Sequence, residues 1–153
     1  MKLAQSLIPL HARCPMSIPP LRKILCVEDE PLVQAVARAA LEKRGGFTVL
    51  ACASGAAAVD AAVAFAPDLL LLDVMMPGMD GPATLAALRR LPATAATPAV
   101  FMTTRTQAQA LAVGAAAGVI GTIDKPFDPK TLAEAVAALW ARSHGADAVD
   151  GAN

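Results

Sequence analysis

The sequence predicts an α/β protein: a five-stranded parallel sheet, doubly wound, with helices on both faces. Three observations predict it. From Leu21 onward, short apolar runs alternate with segments of helical spacing, five times in succession. The third run, Leu69–Leu72, is unbroken leucine, as expected of a strand covered on both faces. The breaks between runs fall on glycine, proline and capping residues, where helices start and stop.

The units follow in order. "KILCV" predicts a strand that ends in the acidic cluster Glu28-Asp29-Glu30. Pro31 suits the first position of a helix. Leu32, Val33, Val36, Ala37, Ala40 and Leu41 then recur at helical spacing until Gly45-Gly46 stops them. "FTVLA" is a second strand, and Ser54 an N-cap for an alanine-rich helix running to Phe65. "DLLLLD" is the third strand. A helix opens at Pro82 and runs through Leu91, and "PAVFM" is the fourth strand. "QAQALAVGAAAG" predicts a helix weakened by Gly114, and "VIGTI" the fifth strand. Asp128-Pro129 predicts a capped helix start, with Leu132, Val136, Leu139 and Trp140 on one face.

These units divide the chain into a disordered N-terminal extension over 1–20, one folded domain over 21–143 and a flexible tail over 144–153. Met16 is an alternative start to Met1. The first twenty residues lack the continuous apolar stretch of a secretory signal. No second domain or output module is expected after the last helix.

Composition excludes several classes. Hydrophobic residues make up 56% and charged residues 17%, which argues for a folded core and against disorder. No apolar run reaches the roughly 18–20 residues a spanning helix needs, so no membrane segment is expected. Thirteen basic and thirteen acidic residues give a net charge of zero. Nucleic-acid binders normally carry a basic face, so direct nucleic-acid contact is not expected. Cys14, Cys26 and Cys52 have no metal-ligand spacing and leave one thiol over in any disulfide scheme, which points to a cytoplasmic protein.

In parallel sheets of this kind ligands bind beyond the carboxyl ends of the strands. Glu28/Asp29, Asp73, Thr103 and Lys125 each follow a predicted strand, so all belong to one rim. Individually each has an ordinary explanation: helix-dipole complement, turn aspartate, strand threonine, solvated lysine. Together they form a chemical set. Three carboxylates crowded at 4 Å repel by roughly 4 kcal/mol per pair at an effective dielectric of 20. Glu28, Asp29 and Asp73 with Lys125 leave a net charge of −2, which one Mg²⁺ neutralises, a cation suited to a few carboxylates plus water and phosphate oxygens. Such a site presents Asp73 as a nucleophile toward a phosphoryl donor.

At these residues the sequence resembles the receiver domain of two-component response regulators. "VEDE" after the first strand, "LLDVMMPGMDG" around the third, "FMTT" after the fourth and "DKPF" after the fifth match the family's signature in register. The resemblance covers about residues 22–143 and implies the flavodoxin-like (βα)5 fold. It also implies a role for each residue. Asp73 is the phosphoacceptor, and Glu28, Asp29 and Asp73 hold Mg²⁺ together with the backbone carbonyl of Met75. Thr103 is the hydroxyl that turns to a phosphoryl oxygen, and Lys125 pairs with the acyl phosphate. The Lys125–Pro126 bond is expected to be cis, and Gly81 to supply backbone freedom after the acceptor strand.

The chain departs from the family pattern at three points. Thr122 stands where the family has the aromatic switch residue, and the chain contains no tyrosine. Thr104 replaces a small residue after the switch threonine. Met75 and Arg105 occupy the positions that tune hydrolysis, and methionine does not orient water, which predicts a persistent phosphoryl group.

The resemblance implies a stand-alone module that takes a phosphoryl group from a histidine kinase or His-phosphotransfer protein and is otherwise no enzyme. It signals through a protein partner docked on the 107–143 face, as a monomer or weak dimer. The alternative is an interaction module of the same fold that does not use phosphorylation. A metal-dependent phosphatase is disfavoured because Met75 cannot act as a second acid.

Overall fold

The computed structural model describes residues 18–104 and 118–146. Strands β1 (Lys23–Val27), β2 (Thr48–Cys52), β3 (Leu69–Asp73), β4 (Ala99–Thr103) and β5 (Val119–Asp124) form one parallel sheet in the order β2-β1-β3-β4-β5. Helices α1 (Pro31–Gly45), α2 (Gly55–Phe65), α3 (Gly81–Arg89) and α4 (Leu132–Ala141) cover its faces, and a 3₁₀ turn (Pro92–Thr94) follows α3. The predicted fold class is the observed one. The predicted helix over 107–118 and Arg105 lie outside the described residues.

Period-two alternation builds two cores from each strand. Ile24 and Cys26 of β1, with Leu69 and Leu71 of β3, pack under α1 and α4 beside Ala37, Leu41, Val136 and Trp140. Leu25, Val27, Leu70 and Leu72 face the other way, against Ala58 and Ala62 of α2 and Leu85 and Leu88 of α3. All four β3 leucines are fully buried, which is why that run shows no polar alternation.

Helix ends mostly follow their local chemistry. Ser54 Oγ accepts from the Ala57 amide at 3.1 Å, as the sequence predicts. Gly46, at φ +70°, ends α1: its amide donates to Glu42 O and the Phe47 amide to Leu41 O, a paired closure that needs the left-handed conformation. Asp80 caps α3 through the Ala83 amide at 2.9 Å, so this helix spans Gly81–Arg89 rather than Pro82–Leu91. The last helix differs more. It begins at Leu132, with no side-chain cap at Thr131, rather than at Asp128-Pro129. Asp128 instead closes a turn, its carboxylate accepting from the Lys130 amide and its carbonyl from those of Thr131 and Leu132. Leu132, Ala133, Val136 and Trp140 are its buried face, and Leu139 is only partly buried. A π-helical turn, Arg142–Ala146, continues beyond Ser143.

Candidate functional site

Strand register brings the predicted residues together. Val27 pairs with Leu72, so the next residues along, Glu28 just past β1 and Asp73 as the last residue of β3, stand side by side. Asp73 is in register with Met102, which places Thr103 one residue further along β4. Thr103 pairs with Asp124, and Lys125 follows, its amide bonded to Thr103 O at 2.9 Å. The sheet order reverses direction between β1 and β3, which opens the crevice at Glu28 and Asp73.

The side chains converge. Lys125 Nζ donates to Asp73 Oδ1 at 3.0 Å and to Glu28 Oε1 at 3.3 Å. Glu28, Asp29 and Asp73 each offer a carboxylate oxygen, all within 4.8 Å of one another. Glu28 and Asp73 are 1% and 2% exposed, so these charges have little water to screen them. Two further residues, not anticipated from the sequence, orient Glu28. The Glu30 amide donates to Glu28 Oε2 at 3.1 Å, and Gln34 Nε2 donates to the Glu28 carbonyl at 3.0 Å. Gln34 lies on the first turns of α1, a polar residue among apolar neighbours, and that was its only signal.

Electrostatics follow from this packing. Burial pushes the Glu28 carboxyl upward. The Glu30 amide opposes that, the Asp73 charge adds to it, and Lys125 draws it back without cancelling it. Burial acts to lower the Lys125 pKa, but the hydrogen bond to Asp73 and the charges of Glu28 and Asp73 outweigh it and the net shift is upward. Lys125 is therefore a firmly charged ammonium bridging two of the three carboxylates.

Gly81 is required for a different reason than the sequence suggests. Its backbone is ordinary; a Cβ there would lie 2.5 Å from Asp73 O and 2.9 Å from Val74 Cα. The Gly81 amide donates to Val74 O at 2.9 Å, drawing the start of α3 against the acceptor strand. Gly78, at φ +77°, is the residue in that loop that needs left-handed freedom. The Lys125–Pro126 bond is cis, as expected.

Thr103 is fully buried, and its hydroxyl donates to the Thr104 carbonyl at 2.9 Å. Met75 stands 60% exposed at the mouth of the site. Thr122 lies on β5 and is exposed. Beside Lys125 opens an apolar pocket of about 450 Å³, lined by Leu32, Val36, Thr104 and Phe127 among others. Among the described residues, no buried side-chain polar atom lacks a hydrogen-bond partner.

Residues 24–137 match the response regulator receiver domain family, and the chain belongs to that family. It is 33% identical over 132 residues to the transcriptional regulatory protein CseB of Streptomyces coelicolor, covering 84% of this chain and 55% of that one. It is 36% identical over 124 residues to the transcriptional regulatory protein CpxR of Escherichia coli, covering 81% and 51%. The chain thus spans about half the length of these curated relatives. Among solved structures it resembles the chemotaxis response regulator CheY4 of Vibrio cholerae, with a TM-score of 0.70 and 29% identity over 78% of this chain and 99% of that one. The receiver domain of the hybrid histidine kinase CckA gives 0.61 and 38% over 77% and 98%. These likenesses confirm the flavodoxin-like receiver fold and place the chain in two-component signalling.

Proposed function

We propose that this receiver takes a phosphoryl group onto Asp73 from a phosphohistidine on a histidine kinase or His-phosphotransfer protein, and signals by protein–protein contact. One observation carries the reading: a buried Asp73 carboxylate bridged by Lys125 at 3.0 Å, within 4.8 Å of two further carboxylates.

The donor set fits Mg²⁺. Ligands at about 2.1 Å in an octahedron lie roughly 3.0 Å apart when adjacent and about 4.2 Å when opposite, so the three oxygens, within 4.8 Å of one another, would draw together around the ion. Glu28, Asp29, Asp73 and the Met75 carbonyl would hold it, and it would offset charge on the incoming phosphoryl oxygens. The chain's own residues supply the rest. An Asp73 oxygen attacks phosphorus, a P–O bond forms, the P–N bond to the histidine breaks, and the imidazole leaves with the electron pair. Lys125, held charged between Asp73 and Glu28, stabilises the equatorial oxygens as charge spreads over them. Thr103 turns its hydroxyl from the Thr104 carbonyl to a phosphoryl oxygen, and that exchange is the first step of readout.

Thr122 supplies no ring to complete an aromatic switch, so readout passes through the β4–β5 edge and the 107–143 face to a partner protein. Met75 and Arg105 set the lifetime of the acyl phosphate. The protein works in the cytoplasm as a monomer or weak dimer, without direct nucleic-acid contact, and catalyses no reaction beyond its own phosphorylation and slow hydrolysis. Its net charge of zero supports the absence of nucleic-acid contact. The described residues contain no helix long and apolar enough to cross a membrane.

The test is incubation with Mg²⁺ and a small acyl-phosphate donor, read by intact mass. One phosphate per chain is expected, abolished by Asp73→Asn and by chelation. A protein that gains none would be the phosphorylation-independent module, and repeated turnover would indicate a phosphatase.

A further inference from the structure

The segment ahead of β1 touches the far end of the last helix. The indole N–H of Trp140 donates to the Pro19 carbonyl at 2.8 Å, across 121 residues of sequence. Trp140 is only 8% exposed, and it is the chain's single tryptophan. The π-helical turn folds back on the same ring. His144 lies over it with centroids 4.2 Å apart and planes 37° off parallel, and His144 Nδ1 and Ser143 Oγ each bond the Trp140 carbonyl at 2.9 Å. Ile18 completes the contact: a Cβ added at Gly145 would lie 3.1 Å from Ile18 Cδ1, so the isoleucine rests where Gly145 has no side chain.

We propose that residues 18–20 form a strap that seats Trp140 and fixes the C-terminal end of the last helix, so that this helix end is ordered only while the strap is in place. A buried indole N–H needs an acceptor, and Pro19 provides it from outside the helix. Pro19-Pro20 suits the role, since two prolines restrict the backbone that presents the carbonyl. The π-helical turn shows that the chain leaves regular α-helical geometry at this point rather than continuing it. Releasing the strap leaves the N–H to solvent and removes the apolar cover from Gly145. The contact therefore makes the segment ahead of β1 a handle on α4. The other end of α4 follows the loop that carries Lys125, so the strap and the acidic rim stand at opposite ends of one helix of roughly 15 Å.

The experiment uses the full chain and the fluorescence of Trp140. Ile18→Ser and Pro19→Gly loosen the strap from its own side; Gly145→Val displaces Ile18 from the other. All three should red-shift Trp140 emission and raise acrylamide quenching severalfold. Amide exchange from Leu139 to Ala146 should speed about fivefold, the equivalent of one hydrogen bond's net contribution. Exchange in β1–β4 should be unchanged. In the reverse direction, Trp140→Phe should speed proteolytic cleavage after Leu21, because the coupling is reciprocal. Unchanged quenching and exchange in Ile18→Ser and Pro19→Gly would overturn the proposal. So would a uniform loss of protection across the whole sheet, since a strap acts at one end only.

Discussion

Replacing Glu28 by glutamine should stabilise the metal-free protein and at the same time weaken its hold on Mg²⁺. The carboxylates of Glu28, Asp29 and Asp73 lie within 4.8 Å of one another. At that distance and an effective dielectric of 20, each pair repels by about 3.5 kcal/mol, so Glu28 meets about 7 kcal/mol from its two neighbours. Lys125 at 3.3 Å returns about 5 kcal/mol. The balance stands near 2 kcal/mol against the Glu28 charge. Partial exposure of Asp29 trims that figure, and desolvation of a side chain 1% exposed adds to it. Glutamine drops the charge but has one oxygen where Glu28 uses two, Oε1 for Lys125 and Oε2 for the Glu30 amide, so one of these hydrogen bonds is lost at a cost of about 1 kcal/mol. A net gain of about 1 kcal/mol, on the order of 4 °C in Tm, is expected in chelator by differential scanning calorimetry.

The pH dependence follows from the raised Glu28 pKa. The native state holds this proton above pH 4.5, where the unfolded chain has already lost it. The associated stability is therefore full below 4.5 and is lost as pH rises through the native value. The variant's advantage should be absent at low pH and grow toward neutrality. Saturating Mg²⁺ should reverse the order, since at a hundredfold excess over Kd the wild type gains about 2.7 kcal/mol by linkage and the variant, short of one ligand, gains less. A lower Tm for Glu28→Gln in chelator would refute the electrostatic reasoning. An equal Mg²⁺ gain in both proteins would refute the metal assignment.

Three further outcomes are expected. Gly81→Ala, whose methyl would meet the backbone of Asp73 and Val74, should cost about 1–3 kcal/mol by denaturant titration and slow phosphate incorporation, because the acceptor strand must shift. Met75→Asn should shorten the lifetime of the phosphorylated protein, read by mass against time, since an amide at this exposed position orients water where a thioether does not. The thiols of Cys26 and Cys52 should resist labelling until the protein unfolds. Burial raises both, that of Cys26 to about 12 from 9.0, so stability is full below pH 9 and falls above it as the unfolded chain ionises first. Rapid labelling of the native protein would contradict that burial.

The sequence alone determined the unit plan, because it is written in local terms. Leu69–Leu72 has no polar alternation, Ser54 and Pro31 mark helix starts, and Gly46 stops α1; each acts on its nearest neighbours. The acidic rim was legible for a related reason. In a parallel sheet every strand ends on the same side, so Glu28, Asp73, Thr103 and Lys125 had to share an edge once each followed a strand. Tertiary structure decided what depends on distance between segments. It decided that Lys125 spans Asp73 and Glu28, that Gln34 and the Glu30 amide hold Glu28, and that Asp128 makes a turn rather than a cap. It also decided that Gly81 is small because the Asp73 backbone passes beside it. The pairing of Trp140 with Pro19 joins the two ends of the described chain, and no local pattern encodes it. Such contacts are set by which surfaces meet when the helices close over the sheet, and a one-dimensional pattern carries no record of that meeting.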